Sequence, residues 1–148
     1  MAQTLSLNLV HIVFSTKQRQ ALIVEEMGSA LHAYLAGTAR RLDCECFLVG
    51  GVQDHVHLAL RLAPTRTSAK VVSEIKTASS VWMKEKGVAG FAWQRGYGLF
   101  SVGPADLGAL MQYIDGQRKH HAKRSFQDEI RGFCKKYHVA IDERYVWD

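Results

Sequence analysis

The sequence predicts an α+β fold: a ferredoxin-like (split βαβ, RRM-like) four-stranded antiparallel sheet with helices on one face, followed by C-terminal helices. Three observations predict it. Apolar residues recur with a strand period, then a helix period, in the order β-α-β-β-α-β. Turn and cap residues fall where the period changes. The 148 residues are 47% hydrophobic and 22% charged, which suits one packed core and excludes a disordered chain. There is no internal repeat, low-complexity tract or linker, so residues 1–148 read as a single domain.

Leu5 to Thr16 alternates as a strand, with Leu9, His11 and Val13 on one face and Val10, Ile12 and Phe14 on the other. Both faces are apolar, which places it centrally in the sheet. From Val24 to Leu42 the period becomes helical, with Met27, Leu31, Tyr34, Leu35, Thr38 and Leu42 in one stripe. Cys44 to Val49 is a second strand, and Gly50-Gly51 turns the chain into a third that ends near Leu62. Thr67 or Ser68 caps a second helix with Val71 or Val72, Ile75, Ala78 and Trp82 inward, and Gly87 stops it.

The centre of Phe91 to Val102 is the fourth strand. Pro104 and Asp106 start a third helix that runs to about His121, with Leu107, Leu110, Met111 and Ile114 buried. Gly116 interrupts it at a cost of about 1 kcal/mol relative to alanine. Ser125-Phe126-Gln127-Asp128 has the form of a capping box and opens a fourth helix, with Phe126, Ile130, Phe133 and Tyr137 inward.

Composition narrows the function. No run reaches the roughly twenty apolar residues of a membrane span, and no secretory signal opens the chain, so a cytoplasmic location is expected. Cys44, Cys46 and Cys134 lack C-x-x-C spacing and read as small apolar residues. The excess of 19 Lys and Arg over 14 Asp and Glu, a net +5, is compatible with a nucleic-acid partner. No nucleotide-binding motif is present.

Chemistry concentrates at two places. In Asp54-His55-Val56-His57-Leu58-Ala59-Leu60 the alternation sends Val56, Leu58 and Leu60 to a core and sets His55 and His57 side by side on the other face. Two imidazoles on a rigid strand can hold a divalent metal but need further ligands. Alone they read equally well as hydrogen-bonded surface histidines. On the third helix, Tyr113 and Gln117 lie one turn apart on one face, followed by His120, His121, Lys123 and Arg124. A tyrosine, a carboxamide, histidines and cations suit the handling of a phosphodiester.

These residues resemble the HUH-class single-strand DNA transposases, small TnpA-like insertion-sequence enzymes with one catalytic tyrosine. The likeness rests on Asp54-His55-Val56-His57, Tyr113-Ile114-Asp115-Gly116-Gln117 and His120-His121. It extends to His11-Ile12-Val13-Phe14, to Trp93-Gln94-Arg95-Gly96-Tyr97-Gly98 and to the Phe126 helix, covering nearly the whole chain. The resemblance implies that His55, His57 and Gln117 bind Mg²⁺ or Mn²⁺ and that Tyr113 attacks the scissile phosphate. The product is a covalent 5′-phosphotyrosine and a free 3′-OH, and that bond is later passed to a 3′-OH. A phenol with a pKa near 10 needs activation, by the metal or a nearby cation. The resemblance also implies single-stranded DNA with hairpins at element ends as partner, and a homodimer whose tyrosine can serve the other subunit's His pair.

Candidate phosphate contacts are Lys17, Arg19, Arg61, Lys70, Lys76, Lys119, Lys123 and Arg124. Trp93 and Tyr97 are candidates for stacking on bases. His11 is either a satisfied core histidine or a support for the metal ligands; His120 and His121 bind phosphate, steady the metal site or are solvated. Two alternatives remain open: a host-domesticated HUH endonuclease acting on repeat hairpins, and a ferredoxin-like nucleic-acid-binding module without catalysis.

Overall fold

A computed structural model describes residues 2–117 and 124–148. Its elements are β1 (Leu9–Ser15), α1 (Glu25–Arg41), β2 (Glu45–Gly51), β3 (His55–Arg61), α2 (Ser68–Glu85), β4 (Gly98–Ser101), α3 (Leu107–Asp115) and α4 (Phe126–Lys136). The four strands form one antiparallel sheet in the order β2-β3-β1-β4. This is the split βαβ arrangement that the sequence predicts.

The sheet separates two apolar layers. Val10, Ile12 and Phe14 of β1 and Val56, Leu58 and Leu60 of β3 pack against Leu31 and Leu35 of α1 and Val72 and Ile75 of α2. Full burial of such side chains contributes about 1.5–3 kcal/mol each. On the other face Val13 and Phe100 pack against Phe126, Ile130 and Cys134 of α4. α3 and α4 cover that face, so His55 and His57, which point to it, are fully buried. Among the described residues, no helix is long and apolar enough to cross a membrane.

Helix ends follow the sequence signals. The Thr67 side chain accepts a hydrogen bond from the Lys70 amide (3.2 Å), and the Ser125 side chain accepts one from the Asp128 amide (3.2 Å). Gly87, just past α2, has φ +102°, a left-handed conformation that glycine adopts without strain.

Several boundaries differ from expectation. The first strand begins at Leu9, because its register partners end at Arg61 and Ser101; Leu5 and Leu7 lie exposed beyond them. The fourth strand is Gly98–Ser101, toward the end of the expected stretch. Phe91 and Trp93 before it pack into the helix-side core instead of pairing, apart from one bridge between Trp93 and Thr16. The inward stripe of α2 is Val72, Ile75, Ser79 and Met83, so Ala78 and Trp82 sit at its margin, where Trp82 stacks on Tyr34. Tyr137 caps the end of α4 and is partly exposed, stacked on Phe100. α3 ends at Asp115 with Gly116 as its cap; the expected continuation to His121 runs into residues 118–123, outside the described residues.

Gly50 and Gly51 do not form the turn between the second and third strands. They belong to β2, opposite His57 and Val56, after a bulge between Cys46 and Leu48. Gly50 faces α3, and a Cβ there would meet Ile114 Cγ2 at 2.7 Å and the Ile114 carbonyl oxygen at 2.8 Å. A hydrogen at this position is what lets α3 lie against the sheet. Gly50→Ala should therefore destabilise the protein by about 1–3 kcal/mol, the usual cost of overpacking. Urea unfolding measures it, and an unchanged midpoint would refute the contact's importance.

Candidate active site

β3 holds the centre. Its alternation points Val56, Leu58 and Leu60 into the helix-side core and His55 and His57 to the face beneath α3 and α4. Because the strand is central and hydrogen-bonded on both sides, the two imidazoles have little freedom.

His55 sits among acceptors. Its Nδ1 donates to Asp54 Oδ1 (2.7 Å), while its Nε2 lies 3.1 Å from Gln117 Oε1 and 3.3 Å from Glu129 Oε2. Burial acts to lower its pKa, but the hydrogen bonds and charges of Asp54 and Glu129 outweigh it and raise the value to about 9.

His57 is supported by a third histidine. His11 Nε2 and His57 Nδ1 are 2.8 Å apart, with the rings stacked at 5.0 Å between centroids. His11 on β1 lies opposite the small Ala59 of β3, which leaves space for its ring to reach His57. Burial lowers the His11 pKa to about 4, so it is neutral and can accept. The contact holds the His57 ring so that its Nε2 faces the centre. His11 is thus both a satisfied core residue and a support for His57.

The largest departure from the sequence reading is Glu129. Its helix is read above as an apolar stripe, yet Glu129 is buried in that stripe, 3.6 Å through Oε1 from His57 Nε2. It accepts hydrogen bonds from the Tyr113 hydroxyl and from Gln117 Nε2 (3.3 Å). Its spacing carried a signal: it stands three residues after Phe126 and four before Phe133, so a carboxylate interrupts the apolar face. The Tyr113 ring stands edge-on to His57, 5.7 Å between centroids, so Tyr113 and the His pair of one chain converge. Phe126 against His55 and Phe133 against His11 and Tyr113 limit the access of water.

These groups fit a divalent cation. Ligand atoms of His55, His57 and Glu129 all lie within 4.8 Å of one another, and the Gln117 carbonyl oxygen borders them. Two imidazoles, a carboxylate and an amide oxygen form a mixed N/O set that suits Mn²⁺ and accommodates Mg²⁺. Beside them opens a cleft of about 1170 Å³ between the β2–β3 turn, the start of α1 and the start of α4, bordered by Gln53, Asp54, Gln112, Gln117, Arg19 and Arg124.

The other expected contacts are dispersed. Lys17 is exposed after β1, and the Arg19 guanidinium lies 6.0 Å from the Trp147 ring centre. Arg61 is at the opposite end of β3 from His55 and donates to the Ser6 carbonyl. Lys70 pairs with Glu74 (3.4 Å), and Arg124 donates to the Asp128 carbonyl (2.9 Å). Lys76 is committed to the carbonyl oxygens of Gln94, Arg95 and Gly96, at 2.9, 3.2 and 2.7 Å. Trp93 is held edge-on to Phe14 and Phe91, with its indole N–H on Ser79 Oγ, and so is built into the core; Tyr97 is exposed. Lys119, His120, His121 and Lys123 lie outside the described residues.

Comparison with solved structures shows what the fold is similar to. A protein assigned as a transposase of Deinococcus radiodurans R1 superposes with TM-score 0.64 at 23% identity, covering 79% of this chain and 95% of its own. A REP-associated tyrosine transposase bound to a REP hairpin superposes with TM-score 0.60 at 15% identity, covering 82% of this chain and 74% of its own. No curated protein matches the chain by sequence. The class is that of transposases, DNA-processing enzymes. Residues 4–117 match the family model "Transposase IS200 like", and the chain belongs to that family. The matched stretch contains His11, His55, His57, Tyr113 and Gln117 and ends before Glu129.

His11→Phe keeps a ring in place and removes the bond to His57. Loss of such a support typically weakens metal binding about 10- to 100-fold. Calorimetric titration with Mn²⁺ should show that loss with circular dichroism unchanged, and an unaltered affinity would remove His11 from the site.

Proposed function

We propose that this transposase cleaves and rejoins single-stranded DNA at insertion-sequence ends with Tyr113 as nucleophile. One observation carries the reading: the Tyr113 hydroxyl is bonded to a carboxylate that also reaches both histidines of the same chain. A binding module without catalysis has no need to bury such a group.

His55, His57, Glu129 and Gln117 are the residues that would hold Mg²⁺ or Mn²⁺. A divalent ion bound there supplies Lewis-acid polarisation of the scissile phosphate. The chain's own groups do the rest. Glu129 Oε1 takes the phenolic proton as the Tyr113 oxygen forms its bond to phosphorus. The bond from phosphorus to the 3′-oxygen breaks, and that oxygen takes a proton from solvent. A 5′-phosphotyrosine and a 3′-OH result. In rejoining, a 3′-OH attacks the phosphotyrosine, the bond to Tyr113 breaks, and Glu129 returns its proton to the phenolate. Bond energy is retained throughout, consistent with a chain that carries no nucleotide motif.

The approach of Tyr113 to its own His pair supports a centre that acts in cis, rather than one assembled from two subunits of a homodimer. A hairpin is the expected DNA partner, on the strength of family membership and of a neighbour solved with one. Nothing in the reading requires a location other than the cytoplasm.

Hairpin DNA from the element's own ends, incubated with the protein and Mg²⁺ or Mn²⁺, should yield a covalent adduct on a denaturing gel. Tyr113→Phe should abolish it; an adduct that persists would sink the tyrosine assignment. Glu129→Gln should slow its formation by about 10²-fold or more even at saturating Mn²⁺, the scale of a lost general base. A wild-type rate in that variant would remove Glu129 from the chemistry.

A further inference from the structure

Tyr113 stands on a weakly anchored element. α3 has nine residues, Ile114 is its buried side chain, and Tyr113 itself is half-buried. A tyrosine so placed can turn among staggered side-chain positions. A hydroxyl that wanders loses much of the rate that correct placement supplies.

α4 restrains Tyr113 at two points. Glu129 accepts the hydrogen bond of its hydroxyl. Phe133, one turn further along the same helix face, meets its ring edge-on, 5.6 Å between centroids at 85°. His57 and His11 stand edge-on to the ring as well, at 5.7 and 6.5 Å. Phe133 is itself held, stacked on Phe100 of β4 (5.5 Å, 29°) and edge-on to His11 (5.0 Å). Through Phe133, the tyrosine ring is tied to the sheet that carries the His pair.

The two restraints differ in kind. The Glu129 contact is a hydrogen bond from the phenol, and it ends when the proton moves and the oxygen bonds phosphorus. The Phe133 contact is made to the ring, involves no charge and survives that exchange. Both residues lie beyond the stretch 4–117 that matches the family.

We propose that Phe133 is a positioning residue for the phosphoryl transfer, holding the Tyr113 oxygen at the His55/His57 pair both when it attacks and when it leaves. The inference rests on the reading of Tyr113 as nucleophile, while the ring contact is measurable without DNA.

The full chain carrying 3-fluorotyrosine gives a fluorine NMR signal for Tyr113, assigned by its loss in Tyr113→Phe. That signal should stand apart from its unfolded-chain position and move toward it in Phe133→Leu, with circular dichroism unchanged. In single-turnover reactions with saturating Mn²⁺ and hairpin DNA, Phe133→Leu should slow adduct formation about 10- to 100-fold, the scale of a small misplacement. Rejoining of the isolated adduct by an added 3′-OH strand should slow by the same factor. Affinities for DNA and Mn²⁺ should change by less than about twofold, since the lost contact serves the transition state. Phe133→Tyr, which keeps the ring, should restore most of the rate. Ile130→Val, which loosens α4 away from Tyr113, should leave the rate within about twofold of wild type.

An unmoved fluorine signal, an unchanged rate, or a loss expressed in DNA or Mn²⁺ affinity would each overturn the proposal. So would an equal loss in Phe133→Tyr or Ile130→Val, or slower attack with rejoining at the wild-type rate. An adduct that persists in Tyr113→Phe would overturn the nucleophile itself, a failure distinct from an adduct that requires Tyr113 and ignores Phe133.

Discussion

Everything on the active face depends on one buried carboxylate. An ionised group removed from water is tolerated only when it is paired and hydrogen-bonded. Glu129 meets that demand by drawing partners from two elements and the segment after one of them: His55 and His57 from β3, Tyr113 from α3, and Gln117 just beyond it. The same requirement that stabilises the charge therefore fixes where α4 lies on the sheet and where the tyrosine points. Packing of Phe126 and Ile130 holds the helix down, and the carboxylate determines its rotation and register.

β3 shows how one strand can serve two purposes without conflict. Its period of two gives Leu58 and its neighbours to the helix-side core and the imidazoles to the other face, so neither set competes for the same volume. Two aromatic layers then isolate the centre. The His11–His57 stack extends it within the sheet, while Phe126 and Phe133 roof it. In such surroundings interactions between charges are stronger than in water, which is why the Asp54 and Glu129 partners outweigh burial at His55.

Most of the fold was legible in the sequence, because each strand and helix carries its own period and its own caps. That His55 and His57 share one face, and Tyr113 and Gln117 another, was legible for the same reason; that the two faces meet was implied only by the resemblance to a known family. Glu129 was less so. A glutamate among phenylalanines looks like the edge of an amphipathic helix, and only the packing of α4 on β3 turns that edge inward. The same limit applies to Lys76 and Trp93. Their side chains are those of DNA contacts, but tertiary structure engages them with a loop and a core.

The bulge between Cys46 and Leu48 reaches further than its size suggests. Were all residues of β2 paired regularly, with no bulge, Val49 would stand opposite His57 and Gly50 would fall on the helix-side core. With it, parity along β2 is reversed: the valine packs against the core, and the glycine offers bare backbone to Ile114, next to Tyr113. A single-residue insertion or deletion before the bulge would act on this sheet as a frameshift acts on a message, exchanging inside for outside in every residue up to the turn. The length of β2 is thus as constrained as the bare backbone at Gly50.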